Sequence, residues 1–321
     1  MKKNMKKQSI LYGLTVILMM ALLLSSCTKE TESPAFPLSA QIFKSVTDKQ
    51  VAFTALTHSA TSWSWNFGDG KTSNDQNPVH VYEQGGYYKA KLTARDDNGN
   101  SVSKEVSLAI ALTPYALLTG DRTVDGYKGK TWRLTTNHTT NSDYFANCDA
   151  TLSAASGTPK PLPNGVFSQL SMANAYKDEF TFNYDGTYVH NNSNSGGSSF
   201  SALINQVVLN GGAGITNMNG QDYGMCLAKY TPESGAKFTY VASEDLTVAS
   251  VYGSGGKLTF IGVSTLDFSG TEFIGFRDVQ RKIIVNKISD SSMQLILFMS
   301  ASQKYYPANT HALILSFEVV K

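Results

Sequence analysis

Short runs of alternating apolar and polar residues, cut by glycine and Asn/Asp clusters, constrain this chain most. Gln50-Val51-Ala52-Phe53-Thr54-Ala55-Leu56 puts its apolar side chains on alternate positions, and Trp63–Phe67 and Tyr88–Ala94 do the same. Period-two alternation over about five to eight residues marks half-buried strands. Gly68-Asp69-Gly70, Gly85-Gly86 and Asp97-Asn98-Gly99 supply turns between them. The pattern returns at Asp178–His190, where Asp185-Gly186, the type I′ hairpin dipeptide, has alternating aromatics on both sides. Further strands are expected at Lys237–Val241, Lys257–Val263, Glu272–Phe276, Lys282–Ile288, Met293–Met299 and Ala312–Val320, and only Phe200–Leu209 has helical spacing. The chain reads as all-β. Its 321 residues are enough for two domains, and 41% hydrophobic residues are too many for a disordered chain.

Residues 38–112 carry three motifs in order: Trp65-Asn66-Phe67-Gly68-Asp69-Gly70, Asn77-Pro78-Val79-His80-Val81-Tyr82 and Gly86-Tyr87-Tyr88. Together they resemble a PKD domain, which implies a small Ig-like β-sandwich acting as a spacer or docking surface. The residues fit such a fold. Trp65 fills a core between sheets, Asp69 bonds turn amides, and the Tyr82 hydroxyl can tie a loop to the sheet. Asp69 and His80 have the residue types of an acid–base pair, but both belong to that signature and read as structural.

Residues 1–26 have a basic start and an apolar run from Ile10 to Leu24, the n- and h-regions of a secretory signal. A run of 15 residues is short for a span, which needs about 20. Leu24-Ser25-Ser26-Cys27 resembles a bacterial lipobox, which implies acylation of Cys27. Cys27-Thr28-Lys29-Glu30-Thr31-Glu32 is similar to the export tag of Bacteroidetes surface lipoproteins. Residues 27–37 then form a lipidated tether on the outer membrane, facing the cell exterior. Without the four leader lysines, 23 basic residues stand against 25 acids, so nothing points to nucleic acid.

After a linker (113–130), residues 131–321 are expected to form one larger β-sandwich, jelly-roll-like. Its loops Asn191–Ser198 and Asn210–Asn219 are rich in glycine and amides, and the domain is rich in tyrosine. Sugars suit such surfaces: a pyranose face stacks on a ring, and side-chain amides pair with its hydroxyls. Tyr305 and Tyr306, in a loop between the last two strands, are the first candidates, with Trp132, Tyr144 and Tyr223 behind them. Trp132 alternates with Leu134 and reads equally as core.

The order of lipobox, PKD module and large β domain resembles the surface glycan-binding proteins of Bacteroidetes polysaccharide-utilisation systems. Leu117–Gly120, Gly129–Trp132 and Asp178–Tyr188 are similar to parts of their distal domain. The resemblance implies capture of a polysaccharide or oligosaccharide, β-glucan as a guess, beside an uptake porin complex.

No catalytic residue is assigned. Asp178-Glu179 and Glu244-Asp245 are adjacent and point to opposite strand faces, unlike the opposed carboxyls of a glycosidase. His138, His190 and His311 are scattered and read as solvated. Two alternatives stay open: a jelly-roll glycoside hydrolase, and a PKD-type adhesin or protein-contact module. Cys148 and Cys226 are either a disulfide or two buried thiols. No cofactor or metal is expected, although the Asn/Asp loops offer oxygens to a structural calcium.

Overall fold

A computed structural model describes residues 36–320. The leader, Cys27 and the tether up to residue 35 lie outside the described residues. Among those described, no helix is long and apolar enough to cross a membrane.

Seven strands build the first domain: β1 (Ser39–Thr47), β2 (Gln50–His58), β3 (Ser62–Asn66), β4 (Thr72–Ser73), β5 (Val79–Val81), β6 (Gly86–Arg95) and β7 (Ser101–Ile110). They pair antiparallel as two sheets, β1-β2-β5 and β4-β3-β6-β7. The alternation explains the sandwich. Val51, Phe53 and Ala55 of β2 point inward and meet Trp65, Ala90, Leu92, Ala94 and Leu108 of the facing sheet in one core. Burying a side chain of Phe or Leu size contributes about 1.5–3 kcal/mol. The Tyr82 hydroxyl, fully buried, donates to the Phe67 carbonyl at 2.9 Å, as the motif predicts.

The segment 113–130 is docked on the second domain. Its helix Pro114–Thr119 is capped by the Thr113 hydroxyl and places Leu118 in the larger core. That domain comprises β8 (Lys130–Leu134), β9 (Tyr144–Asn147), β10 (Glu179–Phe182), β11 (Tyr188–Asn191), β12 (Ser198–Ala202), β13 (Ile215–Asn217), β14 (Met225–Lys229), β15 (Phe238–Ala249), β16 (Lys257–Phe268), β17 (Ile283–Ile288), β18 (Ser292–Met299) and β19 (His311–Val319). One nine-stranded sheet runs β11-β10-β8-β19-β18-β17-β16-β15, with β9 added on β19, and a three-stranded sheet, β12-β14-β13, packs over it. The domain is therefore a curled, unequal β-sandwich.

Its centre is buried on both faces. Leu295, Leu297, Leu313, Leu315 and Phe317 face the core shared with Phe200 and Leu227 of the small sheet. Ile296, Phe298, Ala312 and Ile314 face a second core, which Leu246 and Val248 of β15 close from the other side. This is why β18 and β19 read as nearly continuous apolar runs.

Three local expectations change. Glu272–Phe276 is a loop, because Gly275 has φ +69° and a Cβ there would sit 2.4 Å from the Phe317 ring. The β10–β11 hairpin is not type I′: Gly186 (φ +84°) has the only left-handed backbone in its turn, where its N–H donates to the Asn183 carbonyl. The helix is Leu203–Asn210, and Ser198–Ala202 before it is strand.

Candidate functional site: a tyrosine-bearing loop face

The β18–β19 loop turns through Ser302–Ala308, with the Tyr305 and Ala308 N–H groups donating to the Ser302 and Tyr305 carbonyls. It is laced to the end of the β15–β16 hairpin: Asn309 N–H donates to the Ala249 carbonyl, and Val251 N–H to that of Asn309. It also touches the 221–224 turn so closely that a Cβ at Gly224 would lie 2.8 Å from that of Ala301. Each of these three connected segments carries an exposed ring: Tyr305 (48%), Tyr252 (52%) and Tyr223 (40%). The Tyr252 hydroxyl donates to the Asn147 side chain at 3.1 Å, and that of Tyr306 to Asn205 at 3.2 Å. Tyr306 is thereby a half-buried support, and Asn205 belongs to the helix Leu203–Asn210. Tyr252 shows no feature in sequence that separates it from its neighbours; only the meeting of the loops places its exposed ring near the β18–β19 loop.

Beneath the loop, Asp278 accepts from the Ser300 and Val279 N–H groups, both at 2.7 Å. Burial pushes its carboxyl up to about 7, against the pull of those two bonds. The two amide-rich loops also meet. Ser195, Gly196, Thr216 and Asn217 line a cleft of about 400 Å³, together with Asn174 and Lys229.

Two sequence candidates leave the site. Trp132 is fully buried and its indole N–H donates to the Leu118 carbonyl, because its alternation with Leu134 serves the core. Tyr144 is half-buried, its hydroxyl donating to the Leu152 carbonyl while the Lys160 ammonium covers its ring at 3.8 Å. The cysteines are free thiols, each buried in different surroundings: Cys148 with Leu246 and Phe298, Cys226 on β14. Burial pushes them up to about 11 and about 12, so they pack as small hydrophobes.

The histidines correct the sequence reading most. His138 is fully buried between Asp143 and the Tyr176 hydroxyl, each at 2.8 Å. Asp143 accepts as well from Gln294, the Ser316 hydroxyl and the Ser316 N–H. His190 is buried between Glu272 on Nδ1 and Asp178 on Nε2, each at 3.2 Å. Burial lowers the His190 pKa, but its bonds to Asp178 and Glu272 prevail and leave it raised. Two acids thus do flank a single imidazole, each hydrogen-bonded to it. Asp178 and Glu272 are 4% and 0% exposed, so no sugar reaches them.

Loop acids elsewhere serve their own turns. Asp96, Asp149 and Asp185 each accept from backbone N–H groups two or four residues on. Among the described residues, no group of three or more His, Cys, Asp or Glu side chains is placed to hold a metal ion.

Comparison with known proteins divides the chain. Collagenase ColQ1 of Bacillus cereus (strain Q1) is 47% identical over 49 residues, 15% of this chain and 5% of that protein. The chain spans only that small part of the collagenase's length, so the match brings no protease activity with it. The PKD1 domain of the Vibrio cholerae metalloprotease PrtV aligns over 23% of this chain and 98% of its own, at 25% identity and a TM-score of 0.23. A carbohydrate-binding module of the β-sandwich superfamily, described for its promiscuous specificity, aligns over 89% of this chain and 93% of its own. Its 12% identity and TM-score of 0.25 carry no argument about ligand. The PKD family itself matches residues 39–110, the span of the small sandwich. In that sandwich Asp69 accepts from Lys71 N–H and pairs with His80 at 2.7 Å, whose ring stacks on Phe67. Residues 39–110 are a PKD domain.

Proposed function

We propose that this protein captures polysaccharide on a bacterial cell surface without cleaving it, through the loop face of its second domain. One observation carries the reading: Tyr305 is exposed on the β18–β19 loop, and Tyr223 and Tyr252 are exposed on two segments that each contact that loop. Flat rings on pinned loops form a platform for pyranose faces and lose little conformational entropy on binding. The lipobox-like Cys27 anchors the chain to the outer membrane, and the PKD domain spaces the platform from it. A porin complex next to it would receive the captured chains, and β-glucan is the first polymer to test.

Native gels cast with a panel of neutral polysaccharides test this directly, paired with an assay for new reducing ends. Retardation by at least one polymer without release of ends supports capture. Release of ends refutes it in favour of hydrolysis, and silence in both favours a protein-contact role. That second reading has its own support. The outward face of β1-β2-β5 exposes Phe43 (56%), Leu56 (53%), Val79 (61%) and Val81 (59%), an apolar strip on the PKD domain. For the anchor, Cys27→Ala should release the protein from the membrane fraction of expressing cells.

A further inference from the structure

A cleft of about 610 Å³ lies where the two domains meet, remote in sequence from the tyrosine loops. The PKD domain supplies one wall with its Gly68–Lys71 turn and residues 83–88, and the docked segment and Tyr184 supply the other. Tyr184 sits in the tip of the β10–β11 hairpin, and that tip is fixed at both backbone groups. Its carbonyl accepts from the Tyr115 hydroxyl at 2.8 Å, and its N–H donates to the Tyr127 hydroxyl at 2.9 Å. The Tyr115 and Tyr184 rings meet edge to face, 5.5 Å apart. The Arg122 guanidinium lies over the Tyr184 ring, 4.0 Å from its centroid.

The charges in this cleft are unequal in their commitments. Asp69 is engaged with His80 at 2.7 Å, and Glu83 with Lys71 at 2.9 Å. Among the described residues, Arg122 forms no ion pair with a carboxylate, so its planar fork keeps its N–H donors for a ligand. A guanidinium over one tyrosine ring, with Tyr87, Tyr88 and Tyr115 lining the same cleft, matches a ligand with a sugar face and a carboxylate on one unit. A neutral sugar can accept hydrogen bonds from the guanidinium but lacks the charge pairing that a carboxylate adds. An extended peptide finds rings and turns there instead of an open strand edge.

We propose that this interdomain cleft is a second carbohydrate site, selective for an acidic sugar unit of the uronate class. Its carboxylate lies on Arg122 and its ring against Tyr184 and Tyr115, so the PKD domain is part of a binding wall as well as a spacer. The proposal does not depend on the loop-face reading, and the variants below keep the two apart.

Calorimetry on the whole mature chain compares a galacturonic acid hexasaccharide, a neutral cello-hexasaccharide and a hexaglutamate peptide. The acidic sugar should bind, and weaken as salt is raised. Arg122→Ala, at an exposed position, should reduce its affinity about tenfold or more, the scale of one lost charge-assisted hydrogen bond. Tyr184→Ala should reduce it as well, whereas Tyr252→Ala and Tyr305→Ala should leave it unchanged. The proposal is overturned if the acidic sugar gives no heat up to about 1 mM, the weak end of specific affinity. It is overturned equally if Arg122→Ala binds like the parent, or if hexaglutamate binds as tightly with the same dependence on Arg122.

Discussion

The two domains bury their strands differently. In the PKD domain β2 alternates strictly, one face in the core and the other outward. In the second domain β18 and β19 are buried on both faces between two cores. A one-faced sheet can leave its polar groups to water. A two-faced sheet must satisfy every polar side chain it carries from within, since a buried unpaired group costs about 1–3 kcal/mol. That is why Gln294 and Ser316, interrupting the apolar runs of β18 and β19, converge on Asp143 and through it on His138. In the PKD domain the Asp69–His80 pair lies nearer the surface, with side chains 13% and 12% exposed.

Removing one histidine from each domain is the strongest way to break the comparison. His190→Ala leaves Asp178 and Glu272 buried without their shared partner, which should destabilise the second domain by about 3–5 kcal/mol. His80→Ala leaves Asp69 near solvent and should cost the PKD domain about 1–2 kcal/mol. Urea unfolding followed by domain-specific probes measures both, and equal costs would remove the distinction.

Titration should separate the domains next. Asp278 has a folded value of about 7 against 3.8 unfolded. Because the folded state holds this proton more tightly, its contribution is full below about pH 4 and is lost as pH rises through 7. The second domain should therefore weaken across that window by up to a few kcal/mol. His190, also raised, acts in the same sense from its unfolded value of 6.5 upward. Asp278→Asn should flatten the lower part of the profile; an unchanged slope would assign it to other groups.

Smaller effects sharpen the picture on the PKD side. Tyr82→Phe deletes the 2.9 Å bond to the Phe67 carbonyl and should cost about 1 kcal/mol in chemical unfolding. Phe43→Ser, on the outward strip, should move stability by no more than about 0.5 kcal/mol while abolishing any protein contact made there.

Sequence alone reveals these domains unequally, for a physical reason. The PKD signature is local: Trp65, Asp69, His80 and Tyr82 lie within 18 residues, and each does what its type predicts. Most strands of the second domain are legible from alternation or apolar runs, but Glu272–Phe276 mimics a strand until Gly275 turns it. Its polar partners are distant in the chain. Glu272 meets His190 across 82 residues, and Gln294 meets Asp143 across 151. No spacing rule reports such pairs. Tyr305 is exposed on a loop that has no use for a core ring, and the alternation of Trp132 with Leu134 already marks it as core, whereas only tertiary structure shows Lys160 and Leu152 closing over Tyr144.

The central claim is that connected tyrosine loops hold a polysaccharide that the protein leaves intact. Affinity electrophoresis of the full chain beside a Tyr223→Ala/Tyr252→Ala/Tyr305→Ala variant, on a polymer that retards the parent, addresses it most directly. The variant should fold and lose retention by about 1–3 kcal/mol per stacking ring, on the scale of aromatic–base stacking, with no reducing ends formed by either protein. A folded triple variant retarded as strongly as the parent would contradict the account.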